Sequence, residues 1–354
     1  MKKILFSILF LFFVQSEANS KSILIKPKQL LDVRSGKMIN ADILIESGVI
    51  KEVSRNIPVL IEYEIIELPD TTILPGLMDA HVHLTGNTDL KGHEGISESS
   101  YLATIYGVKN AKQTLMSGFT TVRNVGASNY SDVALRDGIE QKAILGPTLL
   151  VSGPPLGITG GHCDSNILPA EYEYKAQGVA DGPWEVRRKV RENKKYGVDL
   201  IKYCATGGVM SKGTNVNNRQ YTLDEMKAIV DEAHTLGMKV AAHAHGLDGI
   251  RMAIDAGVDS VEHSSLIDQE TVNLAISNNV FLSMDIYVSD YILGEGAKNG
   301  IPEYSLEKER IVGKKQRENF KMAVESGAKM VFGTDLSLIH ISEPTRLRRI
   351  SYAV

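Results

Sequence analysis

The spacing of hydrophobic and polar positions changes once along the chain, near residue 72. The part before it contains short β-branched and apolar runs separated by turn-forming residues, at 22–25, 41–45, 49–53 and 63–68. Short runs of this kind between turns are typical of a β-rich module. We therefore predict part of a small β-sandwich over residues 21–71.

Beyond residue 72, helical patterns end in glycine and are followed at once by short β-branched runs, with junctions at Gly118, Gly197, Gly237, Gly257 and Gly327. Glycine suits these junctions because the residue after a helix is often left-handed. Three further apolar runs, at 73–81, 147–152 and 280–285, bring the number of candidate strands to eight. Eight strand and helix units over residues 72–335 predict an α/β fold, a TIM (β/α)8 barrel. A doubly wound open sheet is the alternative, but no G-x-G-x-x-G motif opens a helix.

One helix of this region has clear start and packing signals. Thr222 and Glu225 have the spacing of a capping box at its beginning. Apolar residues then recur at helical spacing, at Met226, Ile229, Val230 and Ala233. We expect this stripe to pack against a sheet.

The composition of the 354 residues is that of an ordinary globular protein, with 43% hydrophobic residues. The chain has 39 Lys and Arg and 43 Asp and Glu, so its formal charge is −4. This charge does not indicate a nucleic-acid-binding protein. Two cysteines, Cys163 and Cys204, are too few for a disulfide framework. Adjacent strand ends could bring them together, but we do not predict a bond between them.

The first twenty residues resemble a secretory signal peptide. Lys2 and Lys3 precede an apolar run at 4–14, and small residues follow at 18–20. The run of eleven is shorter than the roughly 20 residues that a membrane-spanning helix needs, so we predict no stable membrane span. We predict a signal peptide over 1–20 and a secreted or periplasmic protein; a buried N-terminal strand is the alternative.

Chemistry-bearing residues gather where the predicted strands end. Five of the nine histidines lie there, namely His81, His83, His243, His245 and His263. His81 and His83 are two residues apart on a strand, so both rings leave the same face and can bind one ion. Alone, this pair could be two ordinary polar residues. Its combination with the other histidines and with Asp335 favours a metal site.

Lys202 also lies at a strand end, directly after Leu200 and Ile201. Burial lowers the pKa of a lysine, so a larger fraction of the side chain is the neutral amine. A neutral amine can add carbon dioxide to form a carbamate, which can bridge two metal ions. The alternative is a lysine paired with a carboxylate such as Asp335. The sequence leaves both open.

Seven segments together resemble the amidohydrolase superfamily, in particular its imidazolonepropionase-like and Xaa-Pro dipeptidase-like branch. They are LPGLMDAHVHL at 74–84, GFTTVR at 118–123, ITGGH at 158–162, IK at 201–202 with ATGG at 205–208, AHAHG at 242–246, VEH at 261–263 and FGTD at 332–335. The segments occur in this order along nearly the whole chain. In combination they are a specific signature.

The resemblance implies a metal-dependent hydrolase of amide bonds. Its metal ligands would be His81, His83, Lys202, His243, His263 and Asp335, around zinc or another divalent transition metal. Single-metal members of the superfamily generally lack the lysine, so Lys202 favours two ions with carbon dioxide supplying a carboxylated bridge. His245 faces the same way as His243, and the spacing does not separate their roles.

The resemblance also implies the reaction. A hydroxide held between two metal ions attacks the amide carbonyl, and Asp335 takes a proton from it and passes it to the leaving amine. The expected substrate is a small molecule, a dipeptide or an N-acyl amino acid. A single-metal hydrolase of a cyclic amide is the alternative. No G-x-S-x-G motif supports a serine hydrolase.

Four residues are candidates for substrate contact: His162, His245, Tyr221 and Arg123. His162 follows two glycines on a loop, where a histidine without a role is equally expected. A tyrosine before a helix is often a packing residue, and an arginine at a strand end often pairs with a carboxylate. The sequence does not settle whether the chain forms a homo-oligomer.

The tail at 336–354 is unlike the superfamily's continuation after FGTD and resembles translated vector sequence. We therefore expect a truncated or chimeric product whose barrel is incomplete after strand 8. An inactive fragment is the corresponding alternative to an enzyme.

Overall fold

The structure, a computed structural model, describes residues 22–87, 90 and 94–335. The predicted signal peptide at 1–20 and the atypical tail at 336–354 lie outside these residues. The chain divides into two compact units between Pro75 and Gly76.

The N-terminal unit is built on a single five-stranded sheet. Its strands are β1 (Ile23–Asp32), β2 (Lys37–Ile39), β3 (Asp42–Glu46), β4 (Val49–Ser54) and β5 (Glu64–Ile73). The order is β2-β1-β3-β4 with antiparallel neighbours, and β5 pairs in parallel with β1. Small apolar clusters are buried in this unit, around Leu24 and Leu30. The sheet-rich N-terminal module is thus confirmed, and β2 is a strand that the sequence pattern missed.

The second unit alternates strands and helices. Its strands are β6 (Leu77–Val82), β7 (Phe119–Asn124), β8 (Thr148–Val151), β9 (Leu200–Cys204), β10 (Lys239–Ala244), β11 (Ser260–His263), β12 (Phe281–Ser283) and β13 (Lys329–Val331). Its helices are α1 (Glu94–Ser97), α2 (Ser100–Met116), α3 (Ser131–Glu140), α4 (Pro183–Lys195), α5 (Leu223–Thr235), α6 (Leu247–Ala256), α7 (Gln269–Ser277), α8 (Val288–Gly294) and α9 (Glu303–Glu325). The predicted α/β alternation is confirmed.

The eight strands follow chain order in two parallel sheets, β6-β7-β8 and β9-β10-β11-β12-β13. Backbone hydrogen bonds join the sheets on both sides. Leu156, after β8, donates to Lys202 of β9 at 2.8 Å. Asp335, after β13, donates to the carbonyl of His81 in β6, also at 2.8 Å. The segment after β8 is thereby joined to β9, and the segment after β13 is joined to β6.

All five predicted glycine junctions have positive φ, from 73° at Gly237 to 94° at Gly118. A side chain would be strained in this left-handed region, which explains why each helix ends there in glycine. The α5 prediction is also confirmed: Thr222 and Glu225 form both hydrogen bonds of the capping box. The stripe that follows, from Met226 to Ala233, is buried in the main core.

One predicted strand is split in the structure. The run at 73–81 ends β5 at Ile73 and starts β6 at Leu77. Pro75 has no N–H to donate to a ladder, and a Cβ on Gly76 would lie 1.9 Å from the Thr120 hydroxyl oxygen. The chain therefore passes close to β7 before β6 begins. No helix in the described ranges is both long and apolar enough to cross a membrane.

Candidate metal centre

A cavity of about 300 Å³ opens at the carboxyl ends of the strands in the second unit. All six predicted metal ligands line it, together with two of the predicted substrate contacts, in the set His81, His83, His162, Lys202, His243, His245, His263 and Asp335. We call the six ligands and His245 the histidine floor. Valine, isoleucine, methionine and proline side chains form much of the remaining lining.

The rings of His81 and His83 converge on one carboxylate oxygen. Nε2 of His81 lies 3.5 Å and Nε2 of His83 lies 3.4 Å from Oδ1 of Asp335. Their other nitrogens are occupied, since Nδ1 of His81 is 2.9 Å from a Glu262 oxygen and Nδ1 of His83 is 3.1 Å from the Gly126 carbonyl. With Nδ1 as the donor in each ring, Nε2 presents its lone pair to the cavity.

A second group of imidazoles lies beside the first. Possible ligand atoms of His243, His245 and His263 fall within 4.8 Å of one another, as do those of His81, His263 and Asp335. His263 belongs to both groups. Its Nδ1 is 2.9 Å from Asp285, and Nδ1 of His245 is 2.8 Å from the Ser265 hydroxyl. Each of these rings is therefore oriented by an oxygen acceptor behind it.

The surroundings of the Asp335 carboxylate indicate whether this site fits a metal ion. Its Oδ1 is buried and has no hydrogen-bond partner among the described residues. Such an orphaned oxygen costs free energy unless a cation binds it. Imidazole nitrogen with carboxylate oxygen is a donor set that suits zinc and similar divalent ions. The residues present therefore fit a transition-metal site.

Burial keeps most of the floor histidines neutral. It lowers the pKa of His81 to about 4, with the Lys202 charge adding to the effect. It also lowers the pKa of His243 and His245 well below the usual value. His263 differs: burial opposes its charge, but the carboxylate of Asp285 outweighs burial and raises its pKa. Neutral imidazoles are the form that binds metal.

Lys202 is buried at the centre of β9, where it pairs in register with Ala241 of β10. It has no ion pair with Asp335, nor with any other carboxylate of the described chain. Burial lowers the pKa of its ammonium to about 8. The alternative of a simple Lys202–Asp335 pair is therefore not what the structure contains.

Arg123 is not part of the cavity lining, contrary to its candidacy for substrate contact. Its guanidinium donates to Glu262 at 2.7 Å, to Ser260 at 3.0 Å and to the Ala80 carbonyl at 2.6 Å. Burial opposes the charge of Glu262, but Arg123 and His81 hold the pKa of that carboxyl well below its usual range. Arg123 thus supports Glu262, which orients His81.

Tyr221 is also placed away from the cavity. It is fully buried, and its hydroxyl donates to the Ala180 carbonyl at 3.1 Å. This is the packing role that the sequence left open. His162, in contrast, does line the cavity, where its ring stacks on that of His243 with centroids 4.2 Å apart.

Cys163 and Cys204 form a disulfide, which the sequence analysis did not predict. Their Cα atoms are 6.0 Å apart, at the usual separation for a bonded pair. Cys204 ends β9, and Cys163 directly follows His162. The bond therefore ties the loop that carries His162 to the strand that carries Lys202.

Sequence reasoning missed several residues around the floor. Asp285 follows β12, and its position after a strand was a usable signal. Glu262 precedes a histidine that was identified, and alternation along a strand places its side chain on the opposite face. Glu309 and Gln316 of α9 also line the cavity, and a helical pattern gave no sign of them.

Buried imidazoles and a carboxylate at the carboxyl ends of parallel strands are typical of metal-dependent α/β enzymes. Residues 72–354 match the amidohydrolase family, and the chain belongs to that family. The resemblance inferred from the sequence is thus confirmed.

Individual relatives are similar over much of the chain. Ochratoxinase from Aspergillus niger is 31% identical over 282 residues, 74% of this chain and 58% of that protein. Imidazolonepropionase from Fusobacterium nucleatum is 23% identical over 285 residues, 69% of this chain and 63% of that protein. The chain therefore spans about three fifths of the length of these curated relatives. A solved Xaa-Pro dipeptidase with methionine bound in its active site has 33% identity and a TM-score of 0.86, covering 94% of this chain and 84% of that one.

Proposed function

We propose that this protein is a metal-dependent hydrolase that cleaves an amide bond in a dipeptide or an N-acyl amino acid. The observation that carries the proposal is the convergence of two imidazole nitrogens on the buried, unpartnered Oδ1 of Asp335. Membership of the amidohydrolase family supports the proposal, as does the similarity to an Xaa-Pro dipeptidase and an ochratoxinase. The eight parallel strands support a closed TIM barrel as its scaffold.

Two metal ions fit the floor better than one. The two overlapping groups, His81 with His263 and Asp335, and His243 with His245 and His263, supply more donors than a single ion uses. Lys202 lines the same cavity and forms no ion pair with a carboxylate in the part of the chain that the structure describes. Its neutral amine attacks carbon dioxide, loses a proton to solvent and becomes an anionic carbamate. We propose this carbamate as the bridge between two zinc or similar divalent ions.

Bound divalent ions would polarise the substrate carbonyl and lower the pKa of water at the site. Asp335, on the floor, is placed to accept a proton from the attacking water and to return it to the leaving amine. Burial opposes its ionisation, but the rings of His81 and His83 outweigh burial and keep its pKa below the usual value. It is therefore ionised at neutral pH, which is the form that can accept a proton. His162 and His245 are proposed to contact the substrate.

Metal counting tests the two-ion site. The chain is purified after expression with zinc and bicarbonate, and bound metal per chain is measured for the wild type and for Lys202→Ala. We expect about two ions in the wild type and one or fewer in the variant. Lys227→Ala is the matched control, because Lys227 is exposed on α5. A folded wild type without stoichiometric metal would contradict the proposal.

We further propose that the protein is exported. The Cys163–Cys204 disulfide supports this, because such bonds persist mainly in oxidising compartments. Expression of the full chain, followed by N-terminal sequencing of the exported protein, tests it. Cleavage near residue 20 is expected, whereas an intact N-terminus on cytoplasmic protein would contradict it.

A further inference from the structure

Glu309 is a buried acidic group that the proposed chemistry does not use. It lies on α9 and is 3% exposed, yet it lines the same cavity as the histidine floor. Around it, Val288 and Ile292 of α8 contribute apolar side chains. We call these three residues the helical wall.

The carboxylate of Glu309 has an incomplete set of partners. Oε1 accepts a hydrogen bond from the Ser289 hydroxyl. Within the described ranges, no lysine, arginine or histidine forms an ion pair with it. The adjacent Lys308 is turned away, and its ammonium donates to the carbonyls of Gly208 and Ser211. A buried carboxylate that has one hydroxyl partner among the described residues is costly to ionise. Burial accordingly raises the pKa of Glu309 to about 7.

Space for the inward carboxylate is provided by a glycine one helical turn later. A Cβ on Gly313 would lie 2.6 Å from Oε1 of Glu309 and 2.9 Å from the Ser289 hydroxyl. Any larger residue at 313 would therefore crowd the carboxylate in its present position. The helix sequence thus accommodates an acid that points into the cavity.

The same helix braces the floor. The Gln316 amide donates to the His263 carbonyl at 3.1 Å and to Asp285 at 3.3 Å. Glu309 precedes Gln316 by seven residues, which corresponds to about 10 Å along an α-helix. Because α9 is one continuous helix, it sets a fixed offset between the carboxylate and the floor.

We propose that Glu309 is a specificity-determining residue that binds a protonated amine of the substrate, an inference that rests on the proposed amide hydrolysis. The amine is either the free α-amino group of a dipeptide or the side chain of a basic residue. A substrate ammonium that enters beside the helical wall would donate hydrogen bonds to the Glu309 carboxylate. Its positive charge would stabilise the ionised form of that carboxylate. Neutral N-acyl amino acids gain nothing there. The site therefore selects unblocked or basic dipeptides from the two substrate classes.

Four substrates with one leaving residue separate the two amines. They are lysyl-methionine, norleucyl-methionine and the Nα-acetyl form of each. A preference for both free-amine forms over their acetylated forms assigns the α-amino group. A preference for both lysyl forms over the norleucyl forms assigns the side chain. We expect a preference of at least about tenfold in kcat/KM, the range of one charge-assisted hydrogen bond.

Glu309→Gln is the test variant, since glutamine keeps the shape and removes the charge. The preference should fall to less than about threefold, because kcat/KM falls more for the cationic substrates than for acetyl-norleucyl-methionine, and the metal content should stay unchanged. Glu307→Gln is the matched control on the exposed face of α9 and should keep the preference. Equal rates for all four substrates in the wild type, or an unchanged preference in Glu309→Gln, would overturn the inference.

Calorimetric binding of the same four compounds to metal-free protein gives a readout that does not need turnover. In the pair that carries the preference, free-amine against acetylated or lysyl against norleucyl, the compound with the ammonium should bind at least about tenfold more tightly than the one without it. Glu309→Gln should remove this difference. If the metal-loaded wild type hydrolyses none of the compounds, the proposed function fails. The binding comparison still decides the role of Glu309, with equal affinities rejecting it.

Discussion

The two sides of the cavity hold their polar groups in different ways. On the histidine floor, each of four rings is oriented by a fixed acceptor, such as Glu262 behind His81 and Asp285 behind His263. On the helical wall, the Glu309 carboxylate has the Ser289 hydroxyl as its one hydrogen-bond partner among the described residues, beside a space kept open by Gly313. The histidine floor has the oriented ligands of a rigid coordination site. The helical wall has a carboxylate that can still accept hydrogen bonds from a ligand. We therefore expect catalysis and substrate choice to be separable in this molecule, so that mutations affect one without the other.

The strongest test of the floor is Asp335→Asn. An amide has nearly the same shape but accepts no proton, so kcat should fall by about 10²- to 10⁴-fold. Metal analysis on the same sample shows whether an ion is also lost. Asp255→Asn, exposed on α6, is the control and should leave kcat unchanged. A variant with kcat within tenfold of the wild type would remove Asp335 from the reaction.

The disulfide tests whether the floor depends on a covalent link. In the double variant Cys163→Ser and Cys204→Ser, the free energy of unfolding should fall by about 2–4 kcal/mol, since the bond closes a loop across 41 positions. Urea denaturation measures this, and reductant should destabilise the wild type but not the variant. Metal content should persist because hydrogen bonds orient the rings. Loss of metal from the folded variant would show that the floor needs the link.

Glu262→Gln tests the hydrogen bonds behind the floor. The amide pairs less strongly with His81 and leaves Arg123 without a buried counter-charge, so metal affinity should fall by about 10- to 100-fold. Competition with a chelator measures this affinity. Glu270→Gln, an exposed substitution on α7, serves as the control. Unchanged affinity would mean that His81 keeps its orientation without Glu262.

The smallest effect is expected from Gly313→Ala, which acts on the wall alone. The added methyl displaces the Glu309 carboxylate, so the preference for a cationic substrate should fall severalfold while metal content stays constant. Stability should change by less than about 1 kcal/mol, because the helix propensity of alanine offsets the crowding. Gly294→Ala, where the new Cβ meets nothing, is the control. An undiminished preference would show that the carboxylate has another position available.

The floor was predictable from the sequence because parallel strands bring their carboxyl ends together. Once Gly118, Gly197 and the other junctions defined the strands, the residues that follow each strand had to meet. The spacing of His81 and His83 alone did not distinguish a metal site from two ordinary polar residues, and their combination with the other histidines and Asp335 favoured metal. The strand pattern identified Lys202 as a buried lysine at a strand end, and the family resemblance added its expected role as a carboxylated bridge.

The wall was not predictable, because helix α9 contacts the cavity through residues that ordinary amphipathic spacing does not mark. Glu309 looks like any polar helix residue until α8 is packed against it. The disulfide was missed for a similar reason, since the position of Cys163 depends on a loop without a readable pattern. Tyr221 and Arg123 were candidates because one precedes a helix and the other ends a strand, whereas their contacts are set by packing between distant elements.

The disulfide has a practical consequence for proteolysis. Between Cys163 and Cys204 the chain passes through an exposed stretch that includes Lys175, where trypsin can reach the backbone. A single cut there leaves two pieces that remain one covalent molecule. The nicked protein would migrate as one band without reductant and as two with it. The cut would leave a free chain end at Lys175, while Cys163 still holds the loop with His162 to β9 through the disulfide. The activity of the nicked form can then be compared with that of the intact protein.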